Sequence, residues 1–151
     1  ILRVLAAATP ALALAHAIGR VGCFLVGDDY GIPSDVPWAV AFPEGLPPTS
    51  LRVHPTQLYE TAALLLLVWL LVRWRRQQRP DRFVLGAYLV FTGAVRFAIE
   101  FLRMREPLFG PIGVAHVFSL AAISVGAALL YSSRQSPGVS HAWTATSAKQ
   151  R

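Results

Sequence analysis

The sequence predicts an all-α integral membrane protein with about four transmembrane helices and a Gly/Pro-rich external loop. Apolar residues make up 54% of the 151 residues and charged residues only 15%, whereas soluble domains carry about a quarter charged residues. The mean hydropathy is +0.48, and the apolar residues gather in long runs. The arginines cluster between those runs, which is typical of membrane topology signals rather than of a nucleic-acid-binding face.

Four apolar runs predict the transmembrane helices. In chain order they cover about residues 1–18, 55–72, 83–102 and 112–131. Each run approaches the ~20 apolar residues that a helix needs to cross ~30 Å of hydrocarbon. A helix is expected because lipid offers no hydrogen bonds to the backbone. Pro10 is a candidate kink in the first span. Together the four spans predict a membrane domain over residues 1–131.

The start of the chain allows a rival interpretation. Residues 1–17 resemble a signal peptide, with an apolar stretch that ends in Ala15-His16-Ala17, an A-x-A cleavage pattern. This run lacks an initiator methionine and a basic first region, and further spans follow it. A transmembrane helix is therefore favoured. Because the chain begins with Ile1, we expect that residues upstream of it are missing.

The basic residues predict the orientation of the spans. The loop 73–82 holds five arginines, and the segment 132–151 adds three basic residues. Both lie on one side if the spans alternate, and the positive-inside rule makes that side cytoplasmic. The segment 19–54 is then an external loop. Residues 132–151 are expected to form a disordered cytoplasmic tail.

Ionisable residues concentrate at one depth of the predicted bundle. A helix rises ~1.5 Å per residue, and six polar side chains then fall just beneath the outer surface. They are Arg20, His54, Glu60, Arg96, Glu100 and His116. An arginine at mid-membrane costs at least ~2.5–3.5 kcal/mol on insertion scales, whereas an i,i+4 ion pair returns only ~0.2–0.5 kcal/mol.

Three interpretations of this layer remain. Arg96 and Glu100 would form a structural ion pair that locks one helix to another, or Arg96 would bind an anion and Glu100 would orient it. A transporter or channel subunit is the third, but it predicts polar residues through the full depth of the bilayer. The cytoplasmic halves of the spans are apolar, which argues against it.

Four short motifs occur in order along the chain. They are GRVGCFLVGDDYG at 19–31, HPTQLYE at 54–60, GAVRFAIEFLR at 93–103 and AHVFSL at 115–120. The glycines of the first motif suit a re-entrant or tightly packed turn, and the guanidinium fork of Arg20 matches a phosphate. Together the motifs resemble the prolipoprotein diacylglyceryl transferase family, over about residues 10–131.

The resemblance implies a function, a location and a set of partners. Members of this family transfer the diacylglyceryl group of phosphatidylglycerol to the thiol of the lipobox cysteine in a prolipoprotein signal peptide. They are multi-pass proteins of the bacterial inner membrane whose active site faces the outer side. The implied partners are membrane lipid and prolipoprotein. No cofactor, metal or nucleic acid is implied.

The family motifs match individual residues of this chain. Arg20 matches the essential arginine of the G-R-[IV]-G signature, Arg96 the second essential arginine, and Glu100 the acid that follows it. Asp28 stands where the family usually has glutamate. By resemblance these four are the catalytic candidates. The substrate-binding candidates are the two arginines and the matched residues of the motifs, Gly31, His54, Gln57, Tyr59, Glu60 and His116.

The chain also departs from the family pattern. Cys23 and Val26 stand where typical members have asparagines, and His116 where many have glutamine. The family's His-Gly-Gly motif, which supplies a catalytic histidine, has no match and would lie upstream of Ile1. The base that takes the cysteine proton is therefore open. The weaker candidates within this chain are His54, His116 and Asp28.

Structural roles stay open beside these functional ones. His54 would serve equally to begin a helix, and His116 is favoured as a packing residue. For Tyr59 and Glu60, a structural role as interfacial anchors or as an ion-pair partner for an arginine is as well supported as a functional role. Cys23 is disfavoured as a nucleophile because the family uses the substrate's cysteine, and as the only cysteine it excludes an internal disulfide. A degenerate or truncated, non-catalytic lipid-binding membrane protein is the alternative function.

Overall fold

A computed structural model describes residues 1–103 and 114–135 of the protein. Its elements are α1 (Leu2–Val26), β1 (Val40–Phe42), β2 (Thr49–Val53), α2 (Thr56–Arg76), α3 (Asp81–Glu100) and α4 (Val114–Gln135). Each of these helices is long and apolar enough to cross a membrane, so the predicted all-α membrane fold is confirmed. From residue 136 onward, the predicted tail lies outside the described residues.

The helices alternate in direction, so the bundle has two distinct ends. At one end Arg3 lies close to Arg75 and Asp81 at the connection between α2 and α3. At the other end a bridge joins Gly31, in the segment between α1 and α2, to Arg103 at the end of α3. We call the first the arginine-rich end and the second the loop end.

Small side chains on α1 allow it to pack closely against α2. The buried apolar core comprises Ala6, Ala13, Ala17, Leu64, Leu67, Leu71 and Val84. Three alanines of α1 therefore face three leucines of α2, a small-against-large arrangement that lets membrane helices approach each other. This contact fixes the position of α1 and α2, on which part of the candidate site lies.

Pro10 lies inside α1 and removes one backbone donor from the helix. A proline has no N–H to donate to the carbonyl four residues earlier, here that of Ala6. The hydroxyl of the fully buried Thr9 donates to this carbonyl oxygen at 2.9 Å. Lipid could not have satisfied the carbonyl, so the hydroxyl allows α1 to continue through the proline.

The first helix is longer than the predicted span. It continues past Ile18 to Val26, so Gly19 and Arg20 lie on the helix rather than in a turn. A helix satisfies its own backbone hydrogen bonds in apolar surroundings, and glycine is frequent in transmembrane helices. The helix ends at Gly27, where φ is 73° and the N–H bonds to the carbonyl of Cys23 at 2.9 Å.

The helices α2 and α4 also extend beyond their predicted ends. They reach Arg76 and Gln135, beyond the predicted ends at 72 and 131. The added turns carry basic residues, whose charge is favourable at a helix C-terminus and whose long side chains can reach out of the hydrocarbon. Apolar-run length therefore underestimates both helices.

The segment between α1 and α2 folds over the loop end. Strands β1 and β2 pair in antiparallel fashion, with Val40 opposite Val53. The N–H of Gly31 bonds to the carbonyl of His54 at 2.9 Å, and the N–H of Ile32 to the carbonyl of Leu102 at 2.7 Å. The segment predicted as a turn-rich loop thus contains a small sheet and is tied to α2 and α3.

The helices α3 and α4 touch through paired glycines. A Cβ on Gly86 would lie 2.8 Å from the carbonyl oxygen of Gly126, and one on Gly126 would lie 2.7 Å from that of Gly86. Real Cβ atoms do not approach backbone so closely, because of van der Waals repulsion. Only glycine at both positions permits this backbone contact, which holds α4 against α3.

Candidate functional site

Glu60 on α2 is the centre of a charged cluster near the loop end. Its residue is 2% exposed, and its carboxylate meets side chains from two other helices. Oε2 lies 2.8 Å from Nε of Arg20 on α1 and 3.8 Å from Nη1 of Arg96 on α3. Oε1 lies 3.4 Å from Nε2 of His16 on α1. One carboxylate therefore joins α1, α2 and α3.

The charges of this cluster compensate each other. A buried ion costs several kcal/mol in real proteins unless partners surround it, and here a carboxylate is placed between two guanidinium groups. Arg96 has a second partner, because its Nη2 lies 3.4 Å from Oε2 of the buried Glu100. Four of the six residues predicted at one depth are thus joined in one contact network, namely Arg20, Glu60, Arg96 and Glu100.

The neighbouring side chains satisfy only part of the hydrogen-bonding capacity of the Arg20 guanidinium group. Its Nε contact with Glu60 is an ion pair whose geometry falls short of a hydrogen bond. Its Nη1 lies 3.2 Å from Oδ2 of Asp29 and 3.5 Å from Sγ of Cys23. Its Nη2 is buried and has no hydrogen-bond partner among residues 1–103 and 114–135. A buried unsatisfied donor is costly, so this atom is suited to a ligand that carries an acceptor oxygen.

Asp29 joins the cluster to a further arginine. Its Oδ2 meets Arg20, and its Oδ1 forms a close ion pair with the buried Arg103 at the end of α3. The Thr56 hydroxyl donates to the backbone carbonyl of Asp29 at 2.9 Å. Asp29 also has φ of 58°, a left-handed conformation that aspartate and asparagine tolerate better than most residues.

We expect the Asp29 carboxylate, and not its backbone conformation, to stabilise the loop end. Asp29→Asn and Asp29→Gly both suit the left-handed conformation and both lose the ion pairs, so each should lower the free energy of unfolding by about 2 kcal/mol. Asp29→Ala should lose about 1 kcal/mol more, because alanine is strained at positive φ. Reversible unfolding in mixed micelles measures these differences.

The exposed Asp35 lies in the same segment and provides the control for this series. Asp35→Asn makes the same chemical change and should shift the free energy of unfolding by less than about 0.5 kcal/mol. An Asp29→Asn variant as stable as the wild type would show that the two ion pairs add nothing.

The HPTQLYE segment supports the loop rather than the arginines. Gln57, fully buried, donates from Nε2 to the backbone carbonyl of Asp28. The hydroxyl of Tyr59 lies 3.0 Å from Nδ1 of His54, and Nε1 of Trp38 donates to the same hydroxyl at 2.6 Å. Among the candidates of this motif in the described part of the chain, Glu60 is the one that contacts Arg20 and Arg96.

Gly31 is a point of close approach. A Cβ at this position would lie 2.6 Å from the carbonyl oxygen of Leu102 and 2.8 Å from Cγ2 of Thr56. Any side chain would therefore push the segment between α1 and α2 away from the ends of α2 and α3. The structure gives the glycine a packing role beside the site.

His116 on α4 lies among aromatic rings. It is 2% exposed, and its ring centroid lies 5.0 Å from that of Phe97 and 4.7 Å from that of Phe101. Edge-on contacts of this kind favour aromatic pairs. This surrounding agrees with the packing interpretation of the sequence.

Cys23 and Asp28 form a small group with Asp29 next to Arg20. A sulfur or oxygen atom from each of Cys23, Asp28 and Asp29 lies within 4.8 Å of the other two. Because Arg20 contacts two members of this group and Arg103 contacts Asp29, guanidinium groups already balance its charge. The arrangement favours an arginine-paired cluster over a cation site.

A cavity of about 490 Å³ opens between α1, α3 and α4. His16 and Arg96 line it, together with apolar side chains such as Phe118 and Val114 of α4. Arg96 is 28% exposed and His16 is 44% exposed. The cavity thus joins two cationic or basic groups to an apolar surface, which suits an amphipathic molecule with an anionic end.

The sequence did not predict three members of the network, which are His16, Asp29 and Arg103. His16 was noted only as part of an A-x-A pattern, yet it lies four residues before Arg20 and so on the same helix face. Asp29 and Arg103 lie within the motifs at 19–31 and 93–103 but were assigned no role there. For Arg103, the available signal was its spacing of three from Glu100 and seven from Arg96, which is helical; for Asp29 no comparable signal exists.

Comparisons with known proteins agree with these features. A family model described as "Prolipoprotein diacylglyceryl transferase" matches residues 1–132. The chain is 34% identical over 131 residues to the "Phosphatidylglycerol--prolipoprotein diacylglyceryl transferase" of Pseudomonas fluorescens (strain SBW25). The aligned region covers 81% of this chain and 47% of that protein. It is 40% identical over 125 residues to the protein of the same name from Thermosynechococcus vestitus (strain NIES-2133 / IAM M-273 / BP-1), covering 78% and 46%.

A third relative of the same name, from Pseudomonas putida (strain GB-1), is 37% identical over 107 residues, covering 68% of this chain and 39% of that protein. The chain therefore spans less than half the length of these three curated relatives. No solved structure gives a significant match.

Proposed function

The chain belongs to the prolipoprotein diacylglyceryl transferase family, and we propose that it binds phosphatidylglycerol for transfer of the diacylglyceryl group to a prolipoprotein. The acceptor is the thiol of the lipobox cysteine in the signal peptide, and the transfer is the first step of bacterial lipoprotein maturation. The names of the relatives give a diacylglyceryl transferase, with phosphatidylglycerol and prolipoprotein as the other two words, and this supports the proposal. The residues that matched the family motifs provide the chemistry.

The proposal includes a location and an orientation. Four helices able to cross a membrane make a multi-pass protein, which we assign to the bacterial inner membrane. The arginine-rich end then faces the cytoplasm, because basic loops are retained there. The charged cluster lies toward the opposite, outer side, where a prolipoprotein signal peptide presents its cysteine.

The convergence of Arg20 and Arg96 on Glu60 carries the proposal. Two guanidinium groups lie on facing helices, and each retains capacity for a ligand. Nη2 of Arg20 lacks a partner within the described part of the chain, and Arg96 is exposed to the cavity. Guanidinium donors match phosphate oxygens in a bidentate fashion, so the remaining donors of these two arginines suit the phosphodiester of a lipid headgroup.

The cavity supplies the apolar half of the site. A phospholipid bound through its phosphate at Arg96 would place an acyl chain along the apolar wall that α4 provides. Ligand pockets of 300–1,000 Å³ with few convergent polar groups are typical of small-molecule sites. The dimensions and the polarity of the cavity both support a lipid substrate.

The chemistry follows from the position of the arginines. The cysteine thiolate attacks the glycerol carbon, a carbon–sulfur bond forms, and the bond from that carbon to the phosphate oxygen breaks. Glycerol phosphate leaves with an additional negative charge. Donors fixed in a low-dielectric site stabilise charge that develops in the transition state, and this role falls to Arg20 and Arg96. Glu60 and Glu100 hold the two side chains in place.

The direct test uses the 151-residue chain in nanodiscs with a lipobox peptide and mass spectrometry of the peptide. Phosphatidylglycerol should yield the lipidated peptide, and phosphatidylcholine should not. Arg20→Lys keeps the charge but loses the planar fork, so transfer should fall by about 10²-fold or more. The matched control is Arg75→Lys, at the arginine-rich end, which should transfer at the wild-type rate.

Two results would count against this function. Full activity of Arg20→Lys at wild-type expression would remove the phosphate-binding role. Binding of phosphatidylglycerol without any transfer by the wild-type chain would support the alternative, a non-catalytic lipid-binding membrane protein. An equilibrium measurement of phosphatidylglycerol binding on the same samples distinguishes these two results.

A further inference from the structure

A second cavity opens at the arginine-rich end of the bundle. Its volume is about 290 Å³, and α1, the end of α2 and the start of α3 each contribute to its wall. We call it the arginine cavity; the residues that line it are Arg3, Arg75, Gln78, Arg79, Pro80 and Asp81. The charged cluster around Glu60 lies toward the other end of the bundle, so a ligand of the arginine cavity would be a second ligand.

The arginine cavity carries more positive than negative charge. Three guanidinium groups line it, and one carboxylate does, that of Asp81, whose Oδ1 accepts a hydrogen bond from Nη1 of Arg75 at 3.0 Å. Within residues 1–103 and 114–135, neither Arg3 nor Arg79 forms an ion pair. Apart from Asp81, residues 61–99 hold no acid, and residues 136–151 hold none. The excess positive charge of the cavity therefore favours an anion as ligand.

Neighbouring groups hold two of the three arginines in place. Arg75 is fixed by its pair with Asp81. Cζ of Arg79 lies 5.6 Å from the ring centroid of Phe83, which is a cation–π contact, and the N–H of Arg79 bonds to the carbonyl of Trp74 at 3.1 Å. These donors are in position before a ligand arrives, and such preorganisation lowers the entropic cost of binding.

Membrane topology accounts for only part of this arrangement. A basic residue in the last turn of α2, such as Arg75, is favourable at a helix C-terminus, and arginine-rich segments are retained on one side of a membrane. Neither effect requires that arginines from separate elements converge. Arg3 of α1 and Arg79 beyond the end of α2 nevertheless line one cavity. Polar groups that converge on one concave space are typical of a binding site.

The position of the arginine cavity favours a lipid over a soluble anion. The cavity lies where three helices able to cross a membrane begin or end, which is the level of the lipid headgroups. Val4 and Leu5 follow Arg3 on α1 and are exposed, so apolar surface continues from the cavity along the helix. Guanidinium groups match phosphate oxygens, and basic pockets between membrane helices bind anionic lipid headgroups in other proteins.

We propose that the arginine cavity binds the phosphate of an anionic phospholipid from the leaflet at that end of the bundle. Arg3 and Arg79 donate to the phosphate oxygens, and Asp81 keeps Arg75 oriented beside them. The lipid is not consumed, and its phosphate joins α1 to the connection between α2 and α3. This inference goes beyond the proposed function and does not depend on it, because no step of the transfer uses this end of the bundle.

Photo-crosslinking tests this site on the full 151-residue chain in mixed micelles. The probe is a phosphatidic acid that carries a diazirine near its headgroup, and mass spectrometry of peptides locates the label. We expect label on residues 1–5 and 75–83. Unlabelled phosphatidic acid should compete for these positions. Phosphatidylcholine should not compete because it has no net negative charge, and glycerol 3-phosphate should not because it has no acyl chains.

Two double variants show whether the arginines of the cavity bind the probe. Arg3→Gln with Arg79→Gln removes two donors to the phosphate and should lower the label at these positions by about 10-fold or more. The matched control, Arg82→Gln with Arg134→Gln, removes two arginines that do not line the cavity. In about 0.3 M salt, which screens exposed charges, the control should change the label by less than about 2-fold. All four side chains are exposed, so both variants should fold as the wild type does.

Three results would overturn the proposal. Equal loss of label in the two double variants would indicate a general attraction of anionic lipid to basic residues. Full competition by glycerol 3-phosphate would indicate a soluble phosphate ligand. Label confined to the cavity that Arg96 lines would show that the arginine cavity binds no lipid. None of these measurements involves transfer, so an inactive wild-type chain would reject the proposed function and leave this site in place.

Discussion

Arg96→Ala should abolish diacylglyceryl transfer, with kcat/KM lowered by about 10³-fold. Arg96 lines the cavity and contacts Glu60, and in the proposed function it donates to the phosphate and to the leaving group. Removing one such donor costs about 10²–10³ in rate in other enzymes, which corresponds to about 3–4 kcal/mol of transition-state stabilisation. Lipidation of the peptide, followed by mass spectrometry, measures the change.

Two variants sharpen the result for Arg96. Arg96→Lys retains the charge without the fork and should keep more activity than Arg96→Ala, although still well below the wild type. Arg75→Ala removes an arginine whose ion pair with Asp81 lies at the opposite end of the bundle, and it should retain wild-type transfer. Equal loss of activity in Arg75→Ala would indicate a general effect of removing arginines.

Glu60→Gln should produce the largest loss of stability. The residue is 2% exposed, and its removal leaves two guanidinium groups without their shared counter-charge. Removing one partner from a buried ion pair typically destabilises a protein by 3–5 kcal/mol, and about that loss is expected here. The free energy of unfolding, measured in mixed micelles, provides the test.

A second substitution identifies the cause of this loss. The double variant Glu60→Gln with Arg20→Gln no longer carries the positive charge of Arg20 that Glu60→Gln alone leaves without its partner. Its loss of unfolding free energy should therefore be smaller than the sum of the losses of the two single variants. Asp81→Asn breaks the Arg75 pair, whose side chains are 35% and 33% exposed, and should cost less than about 1 kcal/mol. A Glu60→Gln variant no less stable than Asp81→Asn would contradict the central role of Glu60.

The fold class and part of the site were predictable because the bilayer imposes simple constraints on sequence. Apolar runs identified the four spans. The arginine-rich segments predicted the direction in which each span crosses the membrane, and that direction placed Arg20, Glu60, Arg96 and Glu100 at one depth. The structure confirms the helical membrane class and shows these side chains in contact. Depth follows from a helical rise of ~1.5 Å per residue and therefore needs no tertiary information.

The helix ends and the remaining partners were less predictable. The span ending at Ile18 missed the last turns of α1, since a glycine-rich motif indicates a turn but lipid favours a continuous helix. His16 was not predicted as a member of the cluster, although its spacing of four from Arg20 puts both residues on one face of α1. Asp29 reaches Arg20 and Arg103 only because its segment folds back over α2 and α3, a long-range contact that spacing does not encode.

The distribution of counter-ions has a consequence for how the protein enters the bilayer. Arg20 of α1 finds its acid, Glu60, on α2, so an inserting α1–α2 hairpin carries one positive and one negative charge in this layer. Arg96 travels with Glu100 on α3. Each inserting unit is therefore electrically balanced before the bundle closes, which offsets part of the ~2.5–3.5 kcal/mol that a lone arginine costs. A protein that must bring two arginines into one layer near the loop end of the bundle can then do so in successive neutral steps.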